Sequence, residues 1–416
     1  MPRPQFLLAL TVCLFLSSLS MGQTSSTGPE IKPPQLEDET TRVKLPATVD
    51  DIVVGGAGRY LLCQFRSLKK IGVFDVNEAK ITHYVSTPDT ESTIAAGLTK
   101  LVIVGGDGGT ISRYDIASGK RELTTSLDLT AKPAHVLLGN ASEGPVIISG
   151  GDQVRSSNWE IDLKTLKSTP MKLKGNQGFR RAPRKISANG KTLTCWGGGS
   201  PSGLQTILRV GDQWEGRYQH TSVGAILPSP DGKTLFTSNR MYSNILTPVG
   251  SANSTTKSGA RIFQIPAAHG LFYLGVPMAS RSGRSNKEST RISAVYVHIL
   301  GDNRPLATIN LESVLDEQDQ WGRASLTLDQ RYILLPRASL IAQLASSRDQ
   351  LILTQFDVAK SLAESNIDFL FIESQPPTEI AAGKAFEYQI KAQSKFADLK
   401  YSLASAAEGM NISGSG

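Results

Sequence analysis

The chain has 416 residues, of which 39% are hydrophobic and 19% are charged. This length suits one large domain plus a small one, or two to three average domains, and the apolar fraction is enough for a packed core. The low charge and the 38 glycines are typical of a turn-rich β protein and exclude a helical protein rich in Glu and Lys. A net charge of +7 on so large a surface does not predict nucleic-acid binding, which needs basic residues on one face beside stacking aromatics.

The first residues follow the three-part plan of a secretory signal peptide. Arg3 supplies a positive charge, residues 6–16 form an uninterrupted apolar run, and the small residues Ser20 and Gly22 precede a cleavage site before Gln23. The run is shorter than the about 20 apolar residues that span a bilayer. We therefore expect residues 1–22 to be removed and the mature protein to be secreted, periplasmic or on the cell surface, without a transmembrane segment. An uncleaved anchor is the alternative.

Residues 23–41 are polar and contain several prolines, which predicts a flexible linker. From Arg42 onward, short apolar runs rich in Val, Ile, Leu and Tyr are separated by Gly, Asn-Gly and Asp-Gly. This pattern predicts strands joined by hairpins, because those dipeptides supply the positive φ angles of tight turns. Helical periodicity is confined to residues 358–367, a turn or two of helix.

Two short units recur along the chain. The first is an apolar strand that ends in Asp and an aliphatic residue, and its aspartates are Asp75, Asp115, Asp162 and Asp357. The second is a small turn before an apolar strand, as in residues 56–61, 188–193 and 230–235. The first two copies of the first unit lie about one propeller blade apart, near the 40–45 residues needed for four short strands, and the gap between Asp162 and Asp357 would hold about four more. Further strands at 207–210, 261–265 and 294–299 bring the repeats to seven, with six or eight as alternatives.

A ring of small sheets is the arrangement that these repeats favour, because each sheet has two faces to bury and its neighbours in a ring cover both. Residues 42–375 resemble the WD-type and quinoprotein-like β-propellers, on the strength of residues 229–235 (SPDGKTL) and the recurrent Asp-aliphatic strand ends. The resemblance implies an all-β propeller and no particular function. The sequence lacks the Gly-His and Trp-Asp pairs of strict WD repeats and the Trp-rich docking motifs of quinoprotein dehydrogenases. A stack of β-sandwiches is the alternative fold.

A boundary follows at Gln375, Pro376 and Pro377. Residues 376–416 resemble the beginning of an Ig-like or cadherin-like repeat, with an alternating strand at 382–390, Leu-Lys-Tyr-Ser-Leu at 399–403 and Gly-Met-Asn-Ile-Ser at 409–413. Such a repeat would continue beyond Gly416. We therefore expect a partial module, poorly ordered or docked on the propeller, because about 40 residues cannot bury a sandwich core.

Motifs for metal binding and catalysis are missing from the sequence. Its histidines, at positions 83, 135, 220, 269 and 298, lack the spacing of metal ligands, and HExxH, GxSxG and a phosphate loop ending in GK[ST] do not occur. Cys63 and Cys195 fall in non-adjacent repeats, which predicts two buried thiols rather than a disulfide. We expect no catalytic residue, metal or cofactor. The recurrent aspartates are predicted to close turns with their own backbone, and acids paired near the axis for glycoside hydrolysis are the alternative.

Basic clusters are the strongest surface signal. One contains Lys167, Lys172, Lys174, Arg180, Arg181, Arg184 and Lys185, with Phe179 among them, and the other contains Arg281, Arg284, Lys287 and Arg291. From these we take Arg180, Arg181, Arg184, Lys185, Arg281 and Arg284 as candidate ligand-binding residues, with plain solvated loops as the alternative. An exported protein could use them to bind an anionic polysaccharide or an acidic protein partner.

The sequence thus predicts a secreted or envelope-associated propeller scaffold that binds a protein or polysaccharide partner and is not an enzyme. An extracellular propeller hydrolase or lyase acting on sugars or lactones at the central channel is the main alternative. Three or more Asp, Glu, His or Asn side chains converging at one mouth of the channel would favour the enzyme. A purely structural envelope component is a third possibility, which an apolar interface patch would favour.

Overall fold

The computed structural model describes residues 28–416 apart from 130–131, 152–155, 176–182, 198–202, 239, 251–260, 279–290, 316–325, 373, 375–382, 384, 397 and 404. The described chain divides into two compact units, residues 28–361 and residues 362–416. The predicted signal peptide, residues 1–22, lies outside the described residues.

Seven sheets, the blades, make up the larger unit. Blades 1 to 3 are formed by β2–β5 (Asp51–Gly55, Tyr60–Phe65, Lys70–Asp75, Lys80–Ser86), β6–β9 (Thr93–Ala96, Lys100–Val104, Thr110–Asp115, Arg121–Ser126) and β10–β13 (Pro133–Leu137, Val146–Gly151, Ser156–Ile161, Ser168–Pro170). Blades 4 to 6 are formed by β14–β18 (Leu173–Gly175, Arg184–Ile186, Thr192–Gly197, Gly203–Val210, Gln213–Gln219), β19–β22 (Leu227–Pro228, Thr234–Phe236, Met241–Ser243, Pro248–Val249) and β23–β26 (Arg261–Pro266, Phe272–Met278, Arg291–Ile299, Ala307–Leu315). Blade 7 combines β1 (Thr40–Lys44) with β27–β29 (Tyr332–Leu335, Leu340–Leu344, Gln350–Gln355), and the α-helices are α1 (Leu328–Arg331) and α2 (Val358–Glu364).

Blade 7 joins the two ends of the ring. Its outer strand β1 comes from the start of the unit and pairs antiparallel with β29, with Thr40 opposite Thr354 and Lys44 opposite Gln350. The innermost strands contact one another in order from β2 to β27, and α1, just before β27, contacts β2. The chain is therefore an all-β protein with a seven-bladed propeller, as the repeats predict. The strands expected at 207–210, 261–265 and 294–299 lie in β17, β23 and β25, and the expected helix is α2.

The core consists of side chains that alternate between the two faces of each blade. In β3, Leu61 and Cys63 belong to a cluster shared with blade 7, whereas Leu62 belongs to a cluster shared with blade 2. Successive residues of a strand point to opposite faces. A blade covered on both faces therefore favours apolar residues on both faces of its inner strands, and all six residues of β3 are buried, with Gln64 the one polar amide among them.

Of the predicted flexible linker, residues 23–27 lie outside the described residues, and residues of the described part, 28–41, contact the propeller. Ile31 and Leu36 pack against the core shared by blades 1 and 7. The carbonyl of Glu30 accepts a hydrogen bond from Asn77 Nδ2 at 3.3 Å, and Pro34 is buried. Strand β1 also begins inside the predicted linker, at Thr40. The partners of this segment belong to blades 1 and 7, so its own polar composition gave no sign that it would be held in place.

The predicted tight turns are present and share one design. Gly190 and Gly232 have φ angles of 73° and 72°. In both turns a serine hydroxyl donates to the side chain two residues on, Ser187 to Asn189 Oδ1 and Ser229 to Asp231 Oδ1, each at 2.6 Å. Asn-Gly and Asp-Gly therefore do what their conformational preferences predict.

The first hairpin turns of adjacent blades interlock at one end of the ring. Their backbone hydrogen bonds run from Gly56 N to Gly97 O (2.9 Å), Leu98 N to Ser142 O (2.9 Å), Ala141 N to Ala188 O (2.9 Å) and Asn189 N to Pro230 O (3.1 Å). A further bond, from Ala57 N to Asn140 O at 2.8 Å, joins blades 1 and 3. Because this last bond skips a blade, the turns approach one another around the axis and narrow this end of the channel.

We expect the substitution Gly139→Ala to destabilise the propeller by about 2–3 kcal/mol, as overpacking of a filled site does. A Cβ at residue 139 would lie 2.4 Å from Ala188 O and 2.5 Å from Gly190 N, so the backbone of the next blade would have to move. Gly211→Ala is the matched control, because Gly211 has a φ of 63° and open space around it, and should cost only about 1 kcal/mol. Urea unfolding measures both; equal losses would show that the turns are not tightly interlocked.

Blade 6 contains a buried histidine that stacks on a tyrosine. The rings of His298 and Tyr273 are 4.9 Å apart and 9° from parallel, and His298 is 4% exposed. Burial lowers the pKa of His298 to about 4, although the carboxylate of Asp302 offsets part of this effect. The imidazole is therefore neutral in the folded protein at pH values where it is already charged in the unfolded chain.

We expect the free energy of unfolding to fall by about 3 kcal/mol through His298 alone as the pH decreases from 6.5 to 4. Over that interval the unfolded chain takes up a proton that the folded protein does not; above it neither binds the proton, and below it both do. His298→Phe keeps a ring on Tyr273 and should remove this part of the loss. Urea unfolding from pH 4 to 7, with the exposed His220→Gln as control, measures it. A loss that is unchanged in His298→Phe would contradict the assignment.

Cys63 and Cys195 are both buried and neither forms a disulfide, as the sequence predicts. They lie on β3 of blade 1 and β16 of blade 4. Burial raises the pKa of Cys63 to about 12, so its thiol is un-ionised and unreactive at neutral pH.

The described part of the smaller unit contains one short antiparallel sheet, β30 (Leu370–Ile372) with β31 (Ala392–Ser394). Ser374 Oγ and Tyr388 OH are 2.6 Å apart, and Gln389 Nε2 donates to Gly416 O at 2.8 Å. The Ig-like or cadherin-like character of residues 376–416 stays a prediction. In the described parts of the chain, no helix is both long and apolar enough to cross a membrane.

Candidate functional site

Charged side chains gather at the end of the central channel opposite the interlocked turns. Each innermost strand runs from this end toward the first hairpin turn of its blade, so the residues at the starts of these strands converge here. We call this end the mouth and define it by Asp51, Lys185, Asp329 and Gln330. Asp51 begins β2, Lys185 is the second residue of β15, and Asp329 and Gln330 lie in α1 directly before β27.

An ion pair crosses the mouth from blade 4 to blade 7. Lys185 Nζ lies 2.5 Å from Asp329 Oδ2, and the two side chains are 28% and 18% exposed. Blades 4 and 7 are three blades apart in the ring, so the bond spans the axis rather than a blade-to-blade contact. Partial exposure moderates its strength, because water screens a charge pair that it can reach.

Gln330 is oriented by the start of its own helix. Its Oε1 accepts hydrogen bonds from the backbone N–H and the hydroxyl of Thr327, both at 2.9 Å. This arrangement is one half of a capping box, which satisfies a donor that the first turn of a helix leaves unpaired. The amide nitrogen is thereby directed away from α1, and Nε2 donates to Asp51 Oδ1 of blade 1 at 2.6 Å.

Asp51 is the carboxyl group of the mouth with the most altered acidity. Burial raises its pKa above the ordinary range for an aspartate. The positive charge of Lys185, a backbone hydrogen bond at Ile52 and the hydrogen bond from Gln330 offset part of that increase. The described mouth thus supplies two carboxylates, an ammonium and an amide, which together can hold a charged group by ion pairs and hydrogen bonds.

The structure separates the candidate basic residues into two groups. Arg180, Arg181, Arg281 and Arg284 lie outside the described residues. Lys185 lies in the mouth. Arg184 is buried, at 6% exposure, and donates from Nη1 to Asn158 Oδ1 of blade 3 at 2.8 Å. Burial lowers its pKa. The prediction that Arg184 belongs to an exposed binding loop therefore differs from the structure, in which its guanidinium joins blades 3 and 4.

Asp51, Asp329 and Gln330 carried no signal that sequence reasoning could use. Each is a common polar residue next to an apolar strand, a setting that recurs throughout the sequence. Only the ring brings the start of β2 close to α1. The bonded residues Asp51 and Gln330 are 279 residues apart in the sequence. Knowing which strand of each blade is innermost would have placed these residues together, because the starts of the innermost strands share one end of the axis.

The recurrent aspartates close turns, as the sequence predicts. Each carboxylate accepts the backbone N–H of a residue two or three positions later. The bonds are Asn77 N to Asp75 (2.9 Å), Ser118 N to Asp115 (3.0 Å), Thr165 N to Asp162 (2.7 Å) and Lys360 N to Asp357 (2.9 Å). These acids bond to local backbone, Asp75 and Asp115 also pair with Arg59 and Lys100, and all four lie at the turn end of the blades, away from the mouth.

A polar cleft of about 570 Å³ lies beside blade 1, lined by Lys32, Pro33, Gln35, Arg59, Asn77, Glu78 and Lys80. Arg59 is already ion-paired: its Nε and Nη2 each lie 2.7 Å from an oxygen of Asp75. Lys80 Nζ lies 2.9 Å from Glu78 Oε2. With Arg59 and Lys80 paired to acids, this cleft is a weaker candidate than the mouth. Among the described residues, no three His, Cys, Asp or Glu side chains are grouped as a metal site would require.

Several solved structures are similar to this chain over about three quarters of its length or more. The β-propeller domain of Cps50 (Swd1) from Myceliophteria thermophila is 9% identical, with 77% of this chain and 99% of that chain covered and a TM-score of 0.49. Hydrazine synthase from Kuenenia stuttgartiensis is 14% identical, with 76% and 98% covered and a TM-score of 0.47. A chain of the mitotic checkpoint complex is 11% identical, with 83% and 100% covered and a TM-score of 0.48.

No protein-family model and no curated protein matches the chain. At these identities the likeness to solved structures concerns the fold, which the strand pairing already establishes. What the protein binds or does has to be argued from its own side chains.

We expect Asp51→Asn to raise the free energy of unfolding at pH 7. Asp51 holds its proton more tightly in the folded protein than in the unfolded chain, so its contribution is complete at low pH and is lost as the pH rises through its folded pKa. Asparagine stays neutral and can still accept from Gln330. Urea unfolding from pH 3 to 8 should show a gain over the wild type that vanishes at the acid end.

The control for this experiment is Asp128→Asn, which alters an exposed carboxylate. A less stable Asp51→Asn protein at pH 7 would show that the negative charge of Asp51 holds the mouth together and that burial does not dominate its energetics.

Proposed function

We propose that the protein is an exported, non-catalytic propeller scaffold that binds a protein or polysaccharide partner at the mouth of its central channel. One observation carries the proposal: charged, partly exposed side chains from blades 1, 4 and 7 meet at the mouth, while the other end of the ring is narrowed by interlocked turns. A partner therefore finds functional groups at one end of the axis.

The mouth has the features of a binding surface. Lys185 and Asp329 are held by one ion pair and keep contact with solvent. Such groups give a binding surface specificity, because a partner must match their charges to replace water. Lys185 is carried by β15 and Asp329 by α1, directly before β27. Both elements belong to the packed ring, so the geometry of the mouth exists before a partner arrives, and little ordering has to be paid for on binding.

Export is part of the proposal and rests on the plan of residues 1–22. We also propose that an anionic partner would be held by four basic residues, Arg180, Arg181, Arg281 and Arg284. Arg180 and Arg181 precede β15 in the sequence, the strand that carries Lys185.

One observation favours the alternative, an extracellular hydrolase or lyase acting on sugars or lactones. A carboxyl group whose pKa burial raises, as for Asp51, is suited to act as a general acid, and Asp329 supplies a second carboxylate nearby. The described mouth contains two such side chains, Asp51 and Asp329, whereas convergence of three or more Asp, Glu, His or Asn side chains would favour an enzyme. Turnover of an extracellular polysaccharide that is abolished by Asp51→Asn would replace the scaffold proposal with this one.

The scaffold proposal predicts that partners bind at the mouth end. A photo-crosslinking amino acid placed at the exposed Thr90, in the loop between β5 and β6, should form adducts with one protein or glycan species in the producing culture. The same residue at the exposed Lys120, at the turn end of blade 2, is the matched control and should form none. Mass spectrometry identifies the adducts and also the mature N-terminus, which is expected at Gln23 in the fraction outside the cytoplasm.

Adducts that form equally from both positions, only from residue 120, or from neither would overturn binding at the mouth. A protein retained in the cytoplasm with residues 1–22 intact would overturn export.

A further inference from the structure

We infer that the two carboxylates of the mouth, Asp51 and Asp329, receive a basic side chain of a protein partner, arginine in preference to lysine, and that Lys185 occupies this place in the free protein. The inference rests on the proposed function and names the chemistry of its partner. The expected partner is therefore a protein with an exposed cation. The basic clusters were first considered for a different class of partner, an anionic polymer.

The ammonium of Lys185 occupies a place built by residues of other blades. Its acidic partner Asp329 belongs to blade 7, and its charge also acts on Asp51 of blade 1, although Lys185 itself belongs to blade 4. Asp329 and Gln330 are consecutive, and Gln330 in turn holds Asp51 at 2.6 Å. The acids and the amide therefore form one unit on blades 7 and 1, and the lysine reaches it from across the axis.

When the ion pair between Lys185 and Asp329 opens, the lysine can leave the mouth and the acids cannot. Lys185 has a flexible four-carbon stem, so its ammonium can return to water at small cost. Asp329 has a short side chain on α1, and Asp51 is half-buried at the start of β2 and bonded to Gln330, so both acids stay. A carboxylate left buried without a counter-charge is strongly destabilising. Exchange of one cation for another avoids that cost, whereas an anionic guest would sit beside Asp329.

An acceptor without a hydrogen-bond donor, Gln64 Oε1, lies next to Asp51 in the sheet. Gln64 lies directly opposite Asp51 in the pairing of β2 with β3, so the two side chains share one face of the sheet. Gln64 is 1% exposed; its Nε2 donates to Ser92 O at 2.8 Å, and its Oε1 accepts no hydrogen bond from any described residue. Buried acceptors are nearly always satisfied. A donor that reaches Oε1 would satisfy it.

Arginine fits this set better than lysine does. Its planar guanidinium carries five N–H donors in a fixed fork and can address a carboxylate and a second acceptor at once. Asp329, Asp51 and Gln64 Oε1 are all acceptors. Lys185 is a point charge that pairs with Asp329 and leaves Gln64 Oε1 unsatisfied.

The test uses the full mature chain and four capped peptides, acetyl-Gly-Gly-X-Gly-Gly-amide with X as Arg, Lys, Ala or Glu. Removing the internal competitor with Lys185→Gln should strengthen binding of the Arg peptide about tenfold over the wild type, or about 1.4 kcal/mol. Lys185→Arg should weaken it below the wild type, because the competitor becomes stronger. Adding Asp329→Asn to Lys185→Gln should abolish it. Calorimetry or NMR titration measures the dissociation constants.

The controls separate charge recognition from general effects. Lys191→Gln changes an exposed lysine at the other end of blade 4 and should bind as the wild type does. The Lys peptide should bind more weakly than the Arg peptide, and the Ala and Glu peptides should not bind. Binding should weaken as salt is raised from about 50 to about 500 mM, because salt screens charges that solvent reaches. Urea unfolding confirms that each variant folds; Lys185→Arg keeps the charge and serves if Lys185→Gln does not fold.

Two results overturn the inference. One is an Arg peptide that binds Lys185→Gln no more tightly than the wild type. The other is a Glu peptide that binds the wild type and is lost in Lys185→Gln, which would make Lys185 the recognition group for an anion. If either occurs while adducts still form from residue 90, the inference fails and the proposed function stands. If those adducts are absent, the proposed function fails whichever way the peptides behave.

Discussion

A four-stranded sheet with two apolar faces cannot shield both of them alone, and this constraint governs the whole propeller. In blade 1, alternate residues of β3 enter the clusters shared with blade 7 and with blade 2. A row of such sheets would leave one bare face at each end. The ring removes both ends, and β1, paired with β29, ties the beginning of the unit to its last blade. Loss of that closure would expose the cluster that blades 1 and 7 share.

The same packing explains why the mouth is a credible place for recognition. Innermost strands that are covered on both sides hold their first residues in fixed positions around the axis. Lys185 and Asp329 are 144 residues apart in the sequence and bonded in the structure. At the other end, backbone bonds such as Ala57 to Asn140 occupy the space around the axis. The ring is thus asymmetric along its axis: bonded backbone turns narrow one end, and charged side chains meet at the other.

Much of the fold could be predicted from the sequence because its signals are local. Asn-Gly and Asp-Gly specify their own turns, and the aspartates at strand ends bond to backbone two or three residues away. The candidate site could be predicted only in part. Lys185 was selected for its charge and lies in the mouth, but its neighbour Arg184, selected on the same grounds, is buried against Asn158 of blade 3. Adjacent strand residues point to opposite faces, and charge alone does not tell which one faces the axis.

What the sequence by itself determined is the class and repeat of the chain: an all-β protein of short strands and tight turns, arranged as a propeller, with two thiols in separate blades. These follow from propensities and spacings that act over a few residues. Only the tertiary structure decided that residues 28–39 are held by blades 1 and 7, that Asp51, Asp329 and Gln330 meet, and that Lys185 spans the axis. Those contacts join residues from distant parts of the chain, and they depend on how many blades close the ring and which strand of each lies innermost.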